Sequence, residues 1–168
     1  MRISVCPGTF DPVTLGHVDI IERASKLFDH VYVAVLHNPD KRPLFSVKER
    51  VEMLERQLSH LSNVSVESFA GLAVDYAHQK EAVAIVRGLR AVTDFEFEFK
   101  LASMNRNLSP DVETVFMMTS SEYSFISSSA IKEVASLGGD VSKWVSEPVA
   151  ARLYDKFRET DGEHHESD

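Results

Sequence analysis

Basic residues are in short supply: 18 Lys and Arg stand against 26 Asp and Glu, a formal net charge of −8. A general binder of nucleic acid or of an anionic membrane surface wants the opposite balance, so neither partner is expected. A small anionic ligand needs only a few cations in one place and stays open. Cysteine is nearly absent. The one residue, Cys6, excludes an intramolecular disulfide, and at the end of an apolar run it reads as a small buried hydrophobe. No run approaches the ~20 apolar residues of a membrane helix, and the N-terminus shows no long apolar stretch of a signal peptide, so a cytoplasmic location is expected. Internal repeats and linkers are lacking. Neither a Walker A loop nor G-x-G-x-x-G occurs, which removes the usual nucleotide motifs.

What remains is an ordinary soluble composition, 43% hydrophobic and 26% charged over 168 residues. That length suits one domain with a substantial core, expected over residues 1–158. Residues 159–168 are acidic and read as a disordered tail.

Five short β-branched or apolar runs read as buried strands: Ile3–Cys6, Val31–Leu36, Val64–Phe69, Val83–Val86 and Thr114–Met118. Helical stripes lie between them. Val18, Ile21, Ala24, Leu27 and Phe28 form one, and Val47, Val51, Leu54, Leu58 and Leu61 form another, which Ser46 and Glu49 open as a capping box. Ile131, Val134 and Ala135 mark a helix closed by Gly138-Gly139. Pro148 opens the last, with Val149, Leu153 and Phe157 on one face. Residues 94–99 alternate like a strand, yet Phe97, Leu101, Met104 and Leu108 recur at helical spacing, so a helix capped by Thr93 or Asp94 is expected. Its phenylalanines exceed one stripe, and a subunit interface would absorb the surplus.

Strands alternating with helices predict an α/β fold, a doubly wound five-stranded parallel sheet covered on both faces. Ligands bind outside the carboxyl ends of such strands, near the switch in strand order. The segments expected there carry phosphate-binding chemistry: Pro7–Pro12, His37–Arg42, Arg87–Arg90 and Thr119–Ser129. After Pro12 a helix begins whose first turn holds Thr14, Gly16 and His17. Its free N–H groups and positive dipole end favour an anion.

Pro7-Gly8-Thr9-Phe10-Asp11-Pro12 followed by Thr14-Leu15-Gly16-His17 resembles the T/H-x-G-H signature of the nucleotidyltransferase α/β superfamily. Arg87-Gly88-Leu89-Arg90-Ala91 with Asp94-Phe95-Glu96, and Tyr123–Ser129, narrow the resemblance to the bacterial phosphopantetheine adenylyltransferase family over about residues 1–157. That resemblance implies a Rossmann-like nucleotidyltransferase and reversible adenylyl transfer from ATP to 4′-phosphopantetheine, giving dephospho-CoA and pyrophosphate in coenzyme A biosynthesis.

The resemblance further implies roles for individual residues. His17 would stabilise the transition state, with Lys41 and Arg90 as the other catalytic cations. Thr9, Phe10, His17, Gly88, Leu89, Arg90 and Glu98 would contact ATP, which Tyr123, Ser124, Phe125, Ile126, Ser127, Ser128 and Ser129 would wrap. Thr9, Lys41, Ala73, Arg87 and Asn105 would bind phosphopantetheine. Mg²⁺ is expected on the polyphosphate without direct protein ligation. A homohexamer and feedback by CoA are further family expectations.

Each residue also has a plainer reading: Arg87 and Arg90 as turn charges, Glu98 as a solvated helix residue, Ser127–Ser129 as a helix cap. Rival functions are acceptors such as nicotinamide mononucleotide or a cytidine nucleotide, a class I aminoacyl-tRNA synthetase, and a nucleotide sensor without turnover. Enzymes that make NAD tend to carry Ser-Ser-Thr with Arg three residues on, where this chain has Lys132.

Overall fold

The computed structural model describes residues 1–38, 40 and 42–165, with side chains as far as Thr160. β1 (Ile3–Gly8), β2 (His30–Leu36), β3 (Val64–Phe69), β4 (Ala84–Leu89) and β5 (Glu113–Met118) form one parallel sheet in the order β3-β2-β1-β4-β5. The chain runs outward from β1 through β2 to β3 and then returns to β4 on β1's other side. Strand order reverses between β1 and β4, and a crevice opens beyond their carboxyl ends.

Side chains alternate across the sheet with the two-residue period of a strand. Val31, Val33 and Val35 face one layer, made by α1 (Leu15–Leu27), α2 (Val47–Gln57), α5 (Ser128–Ser136) and α6 (Glu147–His165). Tyr32, Ala34 and Leu36 face the other, against α3 (Ala73–Gln79). The expected stripes supply the first layer: Ile21 and Ala24 from α1, Leu54 from α2, Ile131 and Ala135 from α5, Val149 and Leu153 from α6. A fully buried Leu54 or Leu153 contributes about 1.5–3 kcal/mol of transfer free energy.

The α2 start follows its sequence: Glu49 N–H donates to Ser46 Oγ at 3.2 Å, and Ser46 N–H donates to Glu49 Oε2 at 2.8 Å. α6 carries Pro148 in its first turn, where a missing N–H costs nothing. Its last turns enter the segment 159–168 that composition reads as a tail. Among the described residues no helix is long and apolar enough to cross a membrane.

Several boundaries differ from expectation. β1 and β4 run further than their apolar cores, so Pro7, Gly8, Arg87, Gly88 and Leu89 lie on strands and not in the loops after them. α3 is a helix that no stripe announced. α4 (Val92–Leu108) is the helix expected from the ambiguous segment, but Ala91 is its N-cap and makes no side-chain cap bond. Glu98 is its one buried residue. The stripe read as its packed face lies open instead, with Phe97 66%, Met104 61% and Leu108 60% exposed.

Candidate active site

A cleft of about 600 Å³ occupies the crevice between the ends of β1 and β4. Its floor begins at the loop after β1. Phe10 sits in the left-handed region at φ 51°, and its ring is buried edge-on against His17, 5.0 Å between centroids. That backbone state costs about 1 kcal/mol or more for a non-glycine and persists only where packing holds it. Gly8 makes room: a Cβ there would lie 3.0 Å from the Phe10 ring.

His17 opens α1 in a capping box of its own. Its N–H donates to Thr14 Oγ1 at 3.2 Å, and its Nδ1 accepts the Thr14 N–H at 3.0 Å. Accepting at Nδ1 puts the ring proton on Nε2 and leaves that N–H free to donate. Burial, and then the nearby Arg90 and Arg87, push the ring's pKa down to about 4. The imidazole is therefore a neutral donor at physiological pH. Cys6 also lines the floor, and burial pushes its thiol up to about 11 against the pull of Arg87. It is a thiol, as its place in an apolar run suggested.

Two arginines stand on the β4 side. Arg87 donates from Nε and Nη2 to the two Glu98 oxygens, at 2.9 and 2.6 Å, and from Nη1 to Pro7 O at 2.8 Å. The resemblance gave these two residues separate ligands; the fold pairs them with each other. Arg90 donates from Nε to Asp94 Oδ2 at 3.1 Å and from Nη1 to Ile126 O at 3.0 Å, which ties the segment after β5 to α4.

On the opposite wall Asp11 is 3% exposed and accepts from Lys132 Nζ at 2.7 Å and from the Leu44 and Phe45 amides at 2.9 Å each. Below it Arg50, 2% exposed, donates to Thr9 O at 2.8 Å, Leu36 O at 3.2 Å and Phe45 O at 3.1 Å. Ser127 caps α5 by accepting the Ala130 N–H at 3.1 Å, and Ser128 Oγ donates to Pro12 O at 2.9 Å.

The cleft gathers Thr9, Phe10, His17, Arg87, Gly88, Arg90, Glu98, Tyr123, Ile126, Ser127, Ser128 and Ser129 from the expected residues. Ala73, Leu89, Asn105, Ser124 and Phe125 stand outside its lining, and Lys41 lies outside the described residues. The fold adds Asp94 and Lys132, to which sequence reasoning gave no ligand or catalytic role, and it singles out Asp11, Arg42 and Thr119 within segments expected to meet phosphate. Among the described residues, Arg42, Arg87, Arg90 and Lys132 face Asp11, Asp94 and Glu98, a net charge of +1 within a chain of net −8. With the starts of α1 and α5 beside it, this is a place for a small polyanion.

The cytidylyltransferase-like family model matches residues 5–134. A phosphopantetheine adenylyltransferase of Heliobacterium modesticaldum is 57% identical over 160 residues, covering 95% of both chains. One from Synechococcus elongatus is 56% identical over 154 residues, covering 92% of this chain and 93% of its own. Among solved structures, a Vibrio parahaemolyticus protein described as a nicotinate-nucleotide adenylyltransferase superposes with a TM-score of 0.65 at 19% identity, over 91% of this chain and 99% of that one. A Thermoplasma volcanium lipopolysaccharide core biosynthesis protein gives 0.53 at 23% identity, over 71% and 98%. The two structures speak for the fold alone. The two sequence relatives go further, because their identity spans nearly the whole of both chains: this chain belongs to the phosphopantetheine adenylyltransferase family.

Proposed function

We propose that the cleft transfers the adenylyl group of ATP reversibly to 4′-phosphopantetheine, giving dephospho-CoA and pyrophosphate in coenzyme A biosynthesis. A phosphate oxygen of the acceptor forms a bond to the α-phosphorus, and the bond from that phosphorus to the β-phosphate oxygen breaks. The acceptor oxygen is already anionic, so no side chain has to take a proton from it. What the reaction needs is alignment and stabilisation of charge on the α-phosphate oxygens.

One observation carries this reading: His17 is a neutral Nε2–H donor at a helix start, flanked by Arg87 and Arg90. In the proposed roles His17 donates to the α-phosphate in the transition state. Arg90 meets the departing pyrophosphate, and Thr9, Phe10 and Gly88 line the nucleotide. Arg87 has one face committed to Glu98 and offers its remaining N–H groups to the acceptor phosphate. Lys41 would add a cation from the loop after β2.

Mg²⁺ would offset polyphosphate charge when bound. The carboxylates lining the cleft are each held by a cation, Asp11 by Lys132, Asp94 by Arg90 and Glu98 by Arg87. That donor set suits a metal carried by phosphate oxygens and water. The exposed apolar face of α4 suits the homohexamer of the family, and CoA, as a relative of the product, fits the same cleft as a feedback ligand.

The test is pyrophosphate release from ATP and Mg²⁺ with a panel of acceptors. Release with 4′-phosphopantetheine and little with nicotinamide mononucleotide is expected. The opposite preference would refute the acceptor, and no release with any acceptor would refute turnover.

A further inference from the structure

On the basis of that reaction, we propose that Lys132 and Asp11 form a positioning clasp between α5 and the β1 loop, with Lys132 acting as a tether and not as a phosphate ligand. Asp11 lies in the loop whose Thr9 and Phe10 face the nucleotide. Its buried carboxylate collects three donors from two walls of the cleft. Lys132 Nζ reaches it from α5 at 2.7 Å, and the Leu44 and Phe45 amides reach it from the strap that leads into α2, at 2.9 Å each. Ser128 Oγ, one turn before Lys132 on α5, makes a second tie to the same loop through Pro12 O at 2.9 Å.

The charges make the tie selective. A carboxylate 3% exposed gains little from water, so its counter-ion must be held close. Lys132 is the one ammonium paired with it among the described residues. A phosphate that drew Lys132 away would leave Asp11 with two amide donors and only the more distant charge of Arg50, and that cost opposes a direct role in binding. Arg50 grips the same walls from below, through the carbonyls of Thr9, Leu36 and Phe45. Loss of Lys132 should therefore shift the loop and strap without unfolding the domain. Displacements below an ångström at such a site suffice to slow an in-line displacement.

The experiment compares Lys132→Met, Lys132→Arg, Asp11→Asn and the Asp11→Asn/Lys132→Met double variant with the unaltered protein. For Lys132→Met, kcat should fall on the order of 10- to 100-fold while KM for ATP and for the acceptor moves less than about threefold. Lys132→Arg should recover most of the rate. In the substrate-free protein, deuterium uptake over residues 7–12 and 42–46 should rise in Lys132→Met. In the Asp11→Asn background, adding Lys132→Met should cost no more. The clasp is overturned if Lys132→Met raises KM for ATP on the order of tenfold with unchanged uptake, or costs as much without Asp11 as with it. Should Asp11→Asn not fold, the uptake and the split between kcat and KM in Lys132→Met still decide. The uptake arm uses no substrate, so it stands or falls separately from the reaction assigned above.

Discussion

Replacing His17 by alanine removes one N–H donor from the cleft, because Nδ1 is already committed to the Thr14 amide at 3.0 Å. A single donor aimed at charge that develops in the transition state is worth about 10²–10³ in kcat, or roughly 2.7–4 kcal/mol. The contact strengthens only as charge develops, so KM for ATP should barely move. The pH dependence separates this role from proton transfer. With its pKa depressed to about 4, by burial first and then by Arg90 and Arg87, His17 stays neutral from about pH 5 to 8, and kcat should show no limb near 6.5 that depends on it. The assay is single-turnover pyrophosphate release by both proteins across that range. Unchanged turnover in His17→Ala would refute the donor role. A limb near 6.5 that vanishes with His17 would make it a base.

The same depression has a stability signature. Folded His17 titrates below its unfolded value, so as pH falls from 6.5 the unfolded chain binds the proton first. The neutral ring's compatibility with the fold is kept above 6.5 and lost on the way down to about 4. At about 1.36 kcal/mol per pH unit, that interval sets a ceiling of about 3 kcal/mol, lowered by the ring's partial exposure. Urea unfolding should show the unaltered protein losing its advantage over His17→Ala as pH drops through this window. A constant difference across it would mean that the ring titrates normally.

Arg87→Met strands the Glu98 carboxylate, and a buried charge so abandoned costs about 3–5 kcal/mol. The Arg87→Met/Glu98→Leu double variant should recover much of that in urea unfolding, while neither variant recovers turnover. Gly8→Ala drives a Cβ to 3.0 Å from the Phe10 ring, so kcat should drop on the order of tenfold, with about 1–3 kcal/mol lost in thermal unfolding. Phe97→Asp with Met104→Asp, both on the open face of α4, should reduce a hexamer to smaller species in light scattering. A monomeric unaltered protein at micromolar concentration would remove the assembly from the proposal.

The central strands were legible because they are buried on both faces and read as near-continuous apolar runs, as in Val31–Leu36, while the half-buried edge strand Val64–Phe69 was carried by Val64, Val66 and Phe69. Ser46 with Glu49 marked the start of α2 correctly, since a capping box is local chemistry. α3 escaped because seven residues without a side-chain cap hold too few turns for a stripe to repeat. Strand ends escaped too, since β4 continues through Arg87 and Gly88 by pairing with β5, and pairing leaves no mark on one segment. In the site, the β1 loop and His17 were readable from local spacing. The partners of Arg87 and Asp11 were not, because Glu98 and Lys132 arrive from other elements. Arg50 did leave a signal. It lies three residues after Val47 and four before Leu54, on the buried stripe of α2, where a charge calls for buried partners.

These pairings bear on how a chain of net charge −8 would handle the polyphosphate of the proposed reaction. Surface charges more than about 8 Å away are largely screened at physiological salt, so the lining of the cleft decides. Stripped of its carboxylates, that lining would present, among the described residues, the four cations Arg42, Arg87, Arg90 and Lys132. Such a lining would hold ATP and pyrophosphate alike, and affinity shared by ground state and product adds nothing to kcat. With Asp11, Asp94 and Glu98 present, each partner cation is fixed in direction and its excess attraction is offset. The neutral His17 donor can then discriminate: its N–H gains most where negative charge concentrates on the α-phosphate oxygens, and little where that charge is already spread. In the proposed transfer, the acidic residues of the cleft would thus let the site bind its polyanions firmly enough to align them and release them on either side.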